Sequence, residues 1–276
     1  NNGLSLHGHL SNAIPVTSPD KIHLEALKYR YPMRNAVTLE AEIRQIEACV
    51  KRGYQKLELQ PLREDWLSVV GYGPSLLDIW QEVAHPIITV SGAHDFLIER
   101  GVIPDWHAEC DGRDHKTRHL EKPHQDVTYL MATICNPKVW EQLNGCRILR
   151  WHNANGKHVV DWIGKNDDVS ILVAGGSNIG LTAIHLGGIL GFRKFKLFGF
   201  DGNLRRGRRH AGPHYGPPQK TIKRFAGGRE WDTTPQMSNA CDEFLRLIKE
   251  PGLEFHVFGT SLLTSVLEDG NCVLRK

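Results

Sequence analysis

The sequence lacks any run approaching the ~18–20 consecutive apolar residues of a membrane-spanning helix. It opens with no signal-peptide pattern, and it begins at Asn1 rather than Met, as a trimmed N-terminus would. Its six cysteines, Cys49, Cys110, Cys135, Cys146, Cys241 and Cys272, include no C-x-x-C pair, which argues against a zinc ribbon or a thioredoxin-type site. Scattered through apolar stretches, they read as buried free thiols of a reducing compartment, so a cytoplasmic location is expected. An excess of charge of one sign is lacking as well: a net +3 over 276 residues is too slight to imply nucleic acid. No solenoid repeat and no low-complexity tract occurs. What remains, 40% hydrophobic and 24% charged residues, is the composition of a soluble globular protein, long enough for one large α/β domain with an appendage. Histidine is the abundant exception, at 15 residues, many of them beside proline or glycine in loops.

The most informative stretch is Leu67-Ser68-Val69-Val70-Gly71-Tyr72-Gly73-Pro74-Ser75-Leu76. It reads as an apolar strand, a glycine-rich turn and a helix start. Glycine allows close approach and positive φ, so such a turn can bring backbone N–H groups against a phosphate at the positive end of a helix. Pro74 suits a first helical position and Ser75 offers a hydroxyl. The same residues also make an ordinary strand-to-helix turn. A second junction of this kind follows: the run Val169–Ala174 leads into Gly175-Gly176-Ser177-Asn178-Ile179-Gly180, with Ser177 or Asn178 as N-cap. Gly180, Gly187 and Gly188 in the next helix point to close packing against a sheet or ligand. The strand after it ends in Phe198-Gly199-Phe200-Asp201, where open α/β sheets place ligand groups.

Periodicity predicts strands over 67–70, 86–90, 106–110, 127–132, 146–150, 169–174, 194–199 and 253–258. Helices are predicted over 37–51, 75–83, 92–100, 137–143, 178–190 and 235–249. Strands separated by helices imply a Rossmann-like α/β fold, a mainly parallel sheet with helices on both faces. An N-terminal helical extension (residues 1–66) is expected to pack on the nucleotide-binding domain (67–276). Residues 203–234 break the rhythm with Arg205, Arg206, Arg208, Arg209, Lys220, Lys223, Arg224 and Arg229 among glycines and prolines. They read as a mobile basic loop that closes over ligand.

Three groups carry candidate chemistry. In Asp105-Trp106-His107-Ala108-Glu109-Cys110-Asp111-Gly112-Arg113-Asp114-His115-Lys116, Asp111 follows a strand and is placed to hold Mg²⁺ or bond a hydroxyl, with Arg113 and Lys116 neutralising phosphate. A solvated charged loop is the plain alternative. Asp201 is a candidate metal ligand, general base or helix cap. His210 and His214, with Tyr215, are candidate acid–base groups near neutral pH, or incidental loop residues. Trp151-His152-Asn153 is a weaker candidate for ring recognition.

Taken in order, Val70-Gly71-Tyr72-Gly73-Pro74-Ser75-Leu76, Gly101-Val102-Ile103-Pro104-Asp105, Cys110-Asp111, Gly175-Gly176-Ser177-Asn178-Ile179-Gly180, Leu190-Gly191-Phe192 and Phe198-Gly199-Phe200-Asp201 resemble the MptE-like 6-hydroxymethylpterin diphosphokinase family. The resemblance spans residues 67–216, and the same domain is similar to motility-associated-factor glycosyltransferases and bacterial sialyltransferases. It implies a Rossmann-like transferase. Diphosphokinase members move a diphosphate from ATP to a pterin alcohol with Mg²⁺; the glycosyltransferase relatives move a nonulosonic sugar from CMP to a hydroxyl.

Either reaction needs the phosphate turn of Gly71, Tyr72, Gly73, Pro74 and Ser75, joined by Gly175, Gly176, Ser177, Asn178 and Arg113. The resemblance makes Asp111 and Asp201 the metal ligands or polar contacts. It places His210 and His214 where sialyltransferase-like sites carry a catalytic histidine. The leading expectation is diphosphoryl transfer from ATP to a small, pterin-like alcohol, with glycosyl transfer from a CMP-sugar to a glycan or small-molecule acceptor as the alternative. A non-catalytic nucleotide- or nucleic-acid-binding module is the third reading, and a homo-oligomer is compatible with all three.

Overall fold

The computed structural model describes residues 4–8, 37–153, 157–167, 171–173, 176–213 and 219–269. Its centre is a ten-stranded sheet. The strands are β1 (Leu4–Gly8), β2 (Gln55–Lys56), β3 (Trp66–Val70), β4 (Ile87–Val90), β5 (Trp106–Glu109), β6 (Thr128–Ala132), β7 (Arg147–Asn153), β8 (Leu172–Val173), β9 (Lys194–Phe198) and β12 (Leu253–Val257). They run in the order β1-β12-β9-β3-β4-β5-β6-β7-β2, with β8 also on β7. Every pairing is parallel except β1 on β12. The sequence explains why: β4 reads Ile-Ile-Thr-Val and is buried at every position, as a strand covered on both faces must be.

Helices α1 (Leu39–Lys51), α2 (Leu76–Ile79), α3 (Ala93–Ile98), α4 (Pro137–Gln142), α5 (Lys157–Asn166), α6 (Ile179–Ile189), α7 (Pro235–Leu247) and α8 (Leu262–Asp269) surround the sheet. Thr38 caps α1 by accepting the Ala41 N–H at 3.3 Å, and Ile46 and Cys49 pack into the core shared with the sheet. α6 is apolar on nearly all sides because it is buried. A Cβ at Gly187 would stand 2.7 Å from both the Leu67 and Phe195 side chains, so glycine there sets how closely α6 approaches β3 and β9. No helix among the described residues is long and apolar enough to cross a membrane.

The predicted elements appear, with shifted ends. The helix expected over 75–83 divides into α2 and a 3₁₀ turn, Trp80–Glu82. The strand expected at 146–150 continues to Asn153, and of that expected at 169–174 the described residues hold Leu172–Val173. The basic loop holds an unpredicted hairpin, β10 (Ile222–Ala226) with β11 (Arg229–Thr233). Its turn is Gly227-Gly228, both at positive φ, which is the two-residue chemistry a tight hairpin takes. Charged residues on the exposed face hid the alternation. β2 pairs with β7, so residues 55–56 extend the same sheet.

Chain connection sets the functional end. β3 lies between β9 and β4. The chain leaving β3 proceeds to β4 on one side, and the chain leaving β9 proceeds to β12 on the other. The carboxyl ends of β3 and β9 therefore flank a topological switch point, where open α/β sheets form their ligand crevice.

Candidate active site

Two turns meet at the switch point. The Gly71 N–H donates to the Phe198 carbonyl at 2.8 Å, and the Gly73 N–H to the Gly199 carbonyl at 2.9 Å. A Cβ at Gly71 would lie 2.8 Å from the Gly199 carbonyl oxygen, and one at Gly73 2.5 Å from it and inside the Asp201 carboxylate. The glycines thus admit the β9 turn rather than leaving open space at their own Cα atoms. Asp201 is buried, and both its oxygens accept the Ser75 N–H, at 3.2 and 3.3 Å. The second glycine junction repeats the device: the Ser177 N–H donates to both oxygens of Glu243, at 3.1 and 2.9 Å.

Around these turns lies a cavity of about 280 Å³. Gly71, Tyr72 and Gly73 form one edge, and Gly199, Phe200, Asp201 and Gly202 the next. The loop after β5 contributes Arg113, His115, Lys116 and His119, the last three from a 3₁₀ turn, Asp114–His119. Arg209 and His210 come from the basic segment, and the His210 ring stacks on Tyr72 with centroids 5.5 Å apart and planes 15° apart. Opposite stands a largely apolar wall from Ile179 and Leu181 of α6, Met237, Ala240 and Phe244 of α7, and Leu263 of α8. Ser91, at the end of β4, also lines the cavity and has φ of +50°, a conformation that non-glycine residues rarely keep away from functional sites.

Burial shifts most of the titratable groups here. Burial pushes the Asp201 carboxyl up to about 6, against the opposing Ser75 hydrogen bonds. Burial pushes His119 down to about 3, helped by Lys116, His210 and His115. His115 is likewise depressed by burial and then by Arg113. Both rings are therefore neutral near pH 7 and can donate one N–H each. Lys116 is buried, and desolvation alone would favour its neutral form. Glu109 at 3.3 Å and Asp111 at 3.8 Å outweigh that and raise it. Burial also resists ionisation of Asp111, but hydrogen bonds from Arg113 and the Lys116 charge overcome it.

Of the expected site residues, Gly71, Tyr72, Gly73, Asn178, Arg113, Asp201 and His210 line the cavity. Pro74, Ser75, Gly176, Ser177 and Asp111 are not part of this lining. Gly175 and His214 lie outside the described residues. The acidic run does not open toward the cavity. Asp105 accepts the Ile87 N–H at 2.7 Å, Asp111 is held by Arg113 on both oxygens, and Asp114 pairs with Lys138 at 3.6 Å. Among the described residues no group of three or more histidine, cysteine or carboxylate side chains could hold a metal. Asp111 pairs with Arg113 and Lys116, and Asp201, which lines the cavity, accepts the Ser75 N–H. His152 is also engaged elsewhere, between Thr133 at 2.8 Å and Asp167 at 2.8 Å. Sequence reasoning missed His119, Phe200 and the apolar residues of α7. Only the position of His119, four residues past His115 in the same short turn, signalled any of them.

The family model described as 6-hydroxymethylpterin diphosphokinase MptE-like matches residues 41–206, more than half of the chain. The chain belongs to this family. The match begins inside α1, so the family's region takes in part of the expected N-terminal extension as well as the switch point. No curated protein matches the MptE-like chain. Among solved structures it is similar to the MAf glycosyltransferase from Magnetospirillum magneticum AMB-1, at 18% identity and a TM-score of 0.60, over 83% of this chain and 37% of that one. It thus spans little more than a third of that protein's length, and the likeness is one of fold. A mammalian sialyltransferase aligns at 15% identity and a TM-score of 0.42, over 92% of this chain and 89% of that one.

Proposed function

We propose that the MptE-like chain is a nucleotide-dependent glycosyltransferase, taking a sugar from a nucleoside monophosphate donor such as a CMP-sugar. The observation that carries this reading is the composition of the cavity: among the described residues it is lined by a single carboxylate, Asp201, with Arg113, Lys116, Arg209 and the imidazoles of His115, His119 and His210. Such a lining suits a leaving phosphate, because preorganised cations and N–H donors in a partly dry site stabilise developing charge without reorganisation. The apolar wall of α6, α7 and α8 suits the less polar part of donor or acceptor.

In this reaction Asp201 takes the proton of the acceptor hydroxyl. The acceptor oxygen attacks the anomeric carbon, whose bond to the phosphate oxygen breaks with the electron pair leaving on the nucleoside monophosphate. A carboxyl titrating at about 6 is a base poised near neutral pH. Arg113, Lys116 and Arg209 receive the phosphate charge, and His119, His115 and His210 supply N–H donors. The free, mostly buried thiols fit a cytoplasmic setting.

Diphosphoryl transfer from ATP is the second reading, favoured by the family description over residues 41–206. It calls for Mg²⁺, which is commonly held by one or two carboxylates together with the substrate's phosphates, and Asp201 would be the cavity carboxylate for it. Incubation with a CMP-sugar or with ATP, each with Mg²⁺ or with EDTA, separates the two. The proposal expects CMP release that EDTA leaves unchanged. AMP release that requires Mg²⁺, with no turnover of the CMP-sugar, would establish the diphosphokinase reading instead.

A further inference from the structure

The basic turn at the cavity's edge has no task in the donor site. Residues 201–202 and 209–210 line the cavity, so the segment between them leaves and returns at its rim. That segment is a tight hairpin: Arg205 and Arg208 exchange backbone hydrogen bonds of 2.9 and 3.0 Å. Its two tip residues, Arg206 and Gly207, have φ of +52° and +75°, as a type I′ turn demands. Gly207 is the residue expected there, but Arg206 is not. Glycine, asparagine or aspartate fills such a position at less conformational cost. An arginine held against its backbone preference points to a task for its side chain.

The stem is fixed by the pairing of Arg205 with Asp78 and by the Leu204 N–H on the Asp232 carbonyl at 2.7 Å. Arg206 and Arg208 are exposed, with no ion-pair partner among the described residues. Arg113, Lys116 and Arg209 line the cavity, whereas Arg206 and Arg208 stand outside it. Two guanidinium groups on a braced turn outside the donor cavity are placed for a molecule that enters only in part.

We propose that the Arg206–Arg208 turn docks a carboxylate-bearing oligosaccharide acceptor, whose reacting hydroxyl then reaches Asp201. The proposal rests on the glycosyl-transfer reading. Arg205, on the same turn, already takes a carboxylate, that of Asp78, and the guanidinium fork fits a carboxylate in two-point fashion. Because the pair is solvent-exposed, its contribution falls with salt.

The test measures binding of an oligogalacturonate of defined length to the full chain and to its Arg206→Gly/Arg208→Ala variant, with CMP as control ligand. Glycine at 206 relaxes the turn, so the variant is expected to melt no lower than the parent. The parent should bind the oligogalacturonate saturably at low salt, and the variant about tenfold more weakly, as befits loss of two exposed pairings. CMP affinity should stay within about twofold, and a neutral maltooligosaccharide should not bind. Equal affinity in parent and variant, or no binding to the parent, overturns the proposal. So does tighter binding of a single-stranded oligonucleotide that the variant loses, which would assign the turn to nucleic acid. Failure of the parent to bind CMP at all would instead count against the donor reading beneath it.

Discussion

The Asp201 carboxylate accepts the Ser75 N–H through both oxygens, at 3.2 and 3.3 Å, and so joins two turns 126 residues apart in the chain. The same residue lines the cavity. On the proposed reading this one side chain both braces the glycine turn and serves as the base, and substitution can separate the two roles.

Asp201→Asn keeps an oxygen that accepts the Ser75 N–H, so the fold should survive while the base is lost. Turnover is expected to fall roughly 10²–10⁴-fold with a nearly unchanged melting curve. Asp201→Ala should lose turnover and also melt earlier, because the buried Ser75 N–H is left without its acceptor. Turnover by the Asp201→Asn variant within a few-fold of the parent would reduce Asp201 to a brace.

The pH dependence follows with a definite sign. The folded carboxyl titrates at about 6 against 3.8 in the unfolded chain, so the folded state binds more protons between those values. Stability should accordingly fall as pH rises from about 4 to about 6, by on the order of 3 kcal/mol. Turnover should rise over the upper part of the same window, since only the ionised form is a base. Denaturant titrations at a series of pH values should show this slope in the parent and its loss in Asp201→Asn.

Gly73→Ala probes why the turn is glycine-rich. The added Cβ meets Asp201 and the Gly199 carbonyl, not solvent. The expected result is destabilisation of roughly 1–3 kcal/mol or more, as for overpacking of a dense interior. Gly71→Val should behave alike. Melting curves decide: a variant that is fully stable but fails to bind nucleotide would mean that the space belongs to the ligand.

Lys116 pairs with buried Glu109 at 3.3 Å. Lys116→Met should cost roughly 3–5 kcal/mol, because it strands a buried carboxylate. Lys116→Met/Glu109→Gln should recover most of that stability yet still bind the donor weakly. A double variant no more stable than the single one would contradict the pairing.

The sheet was legible because its strands are short apolar runs, such as Ile87–Val90, punctuated by glycine and proline. α5 was not: with Gly156 before it and Gly164 within it, its few apolar positions, Val159, Val160 and Ile163, make a short signal that yielded no predicted helix. In the site, Gly71, Gly73 and Asp201 were legible from their place just past strands. The fate of Asp111 was not, because whether a carboxylate faces a ligand or a neighbouring arginine depends on the turn at Gly112–Arg113. His119 and Phe200 needed the tertiary fold to bring them beside Tyr72 and Gly71.

The most direct measurement is a crystal structure of the full chain with bound CMP. The account predicts the phosphate at the switch point between β3 and β9, within hydrogen-bonding distance of at least two of Arg113, Lys116 and Arg209, with Asp201 facing the space beside it. A nucleotide bound elsewhere, or one whose phosphate points away from these cations, would contradict it.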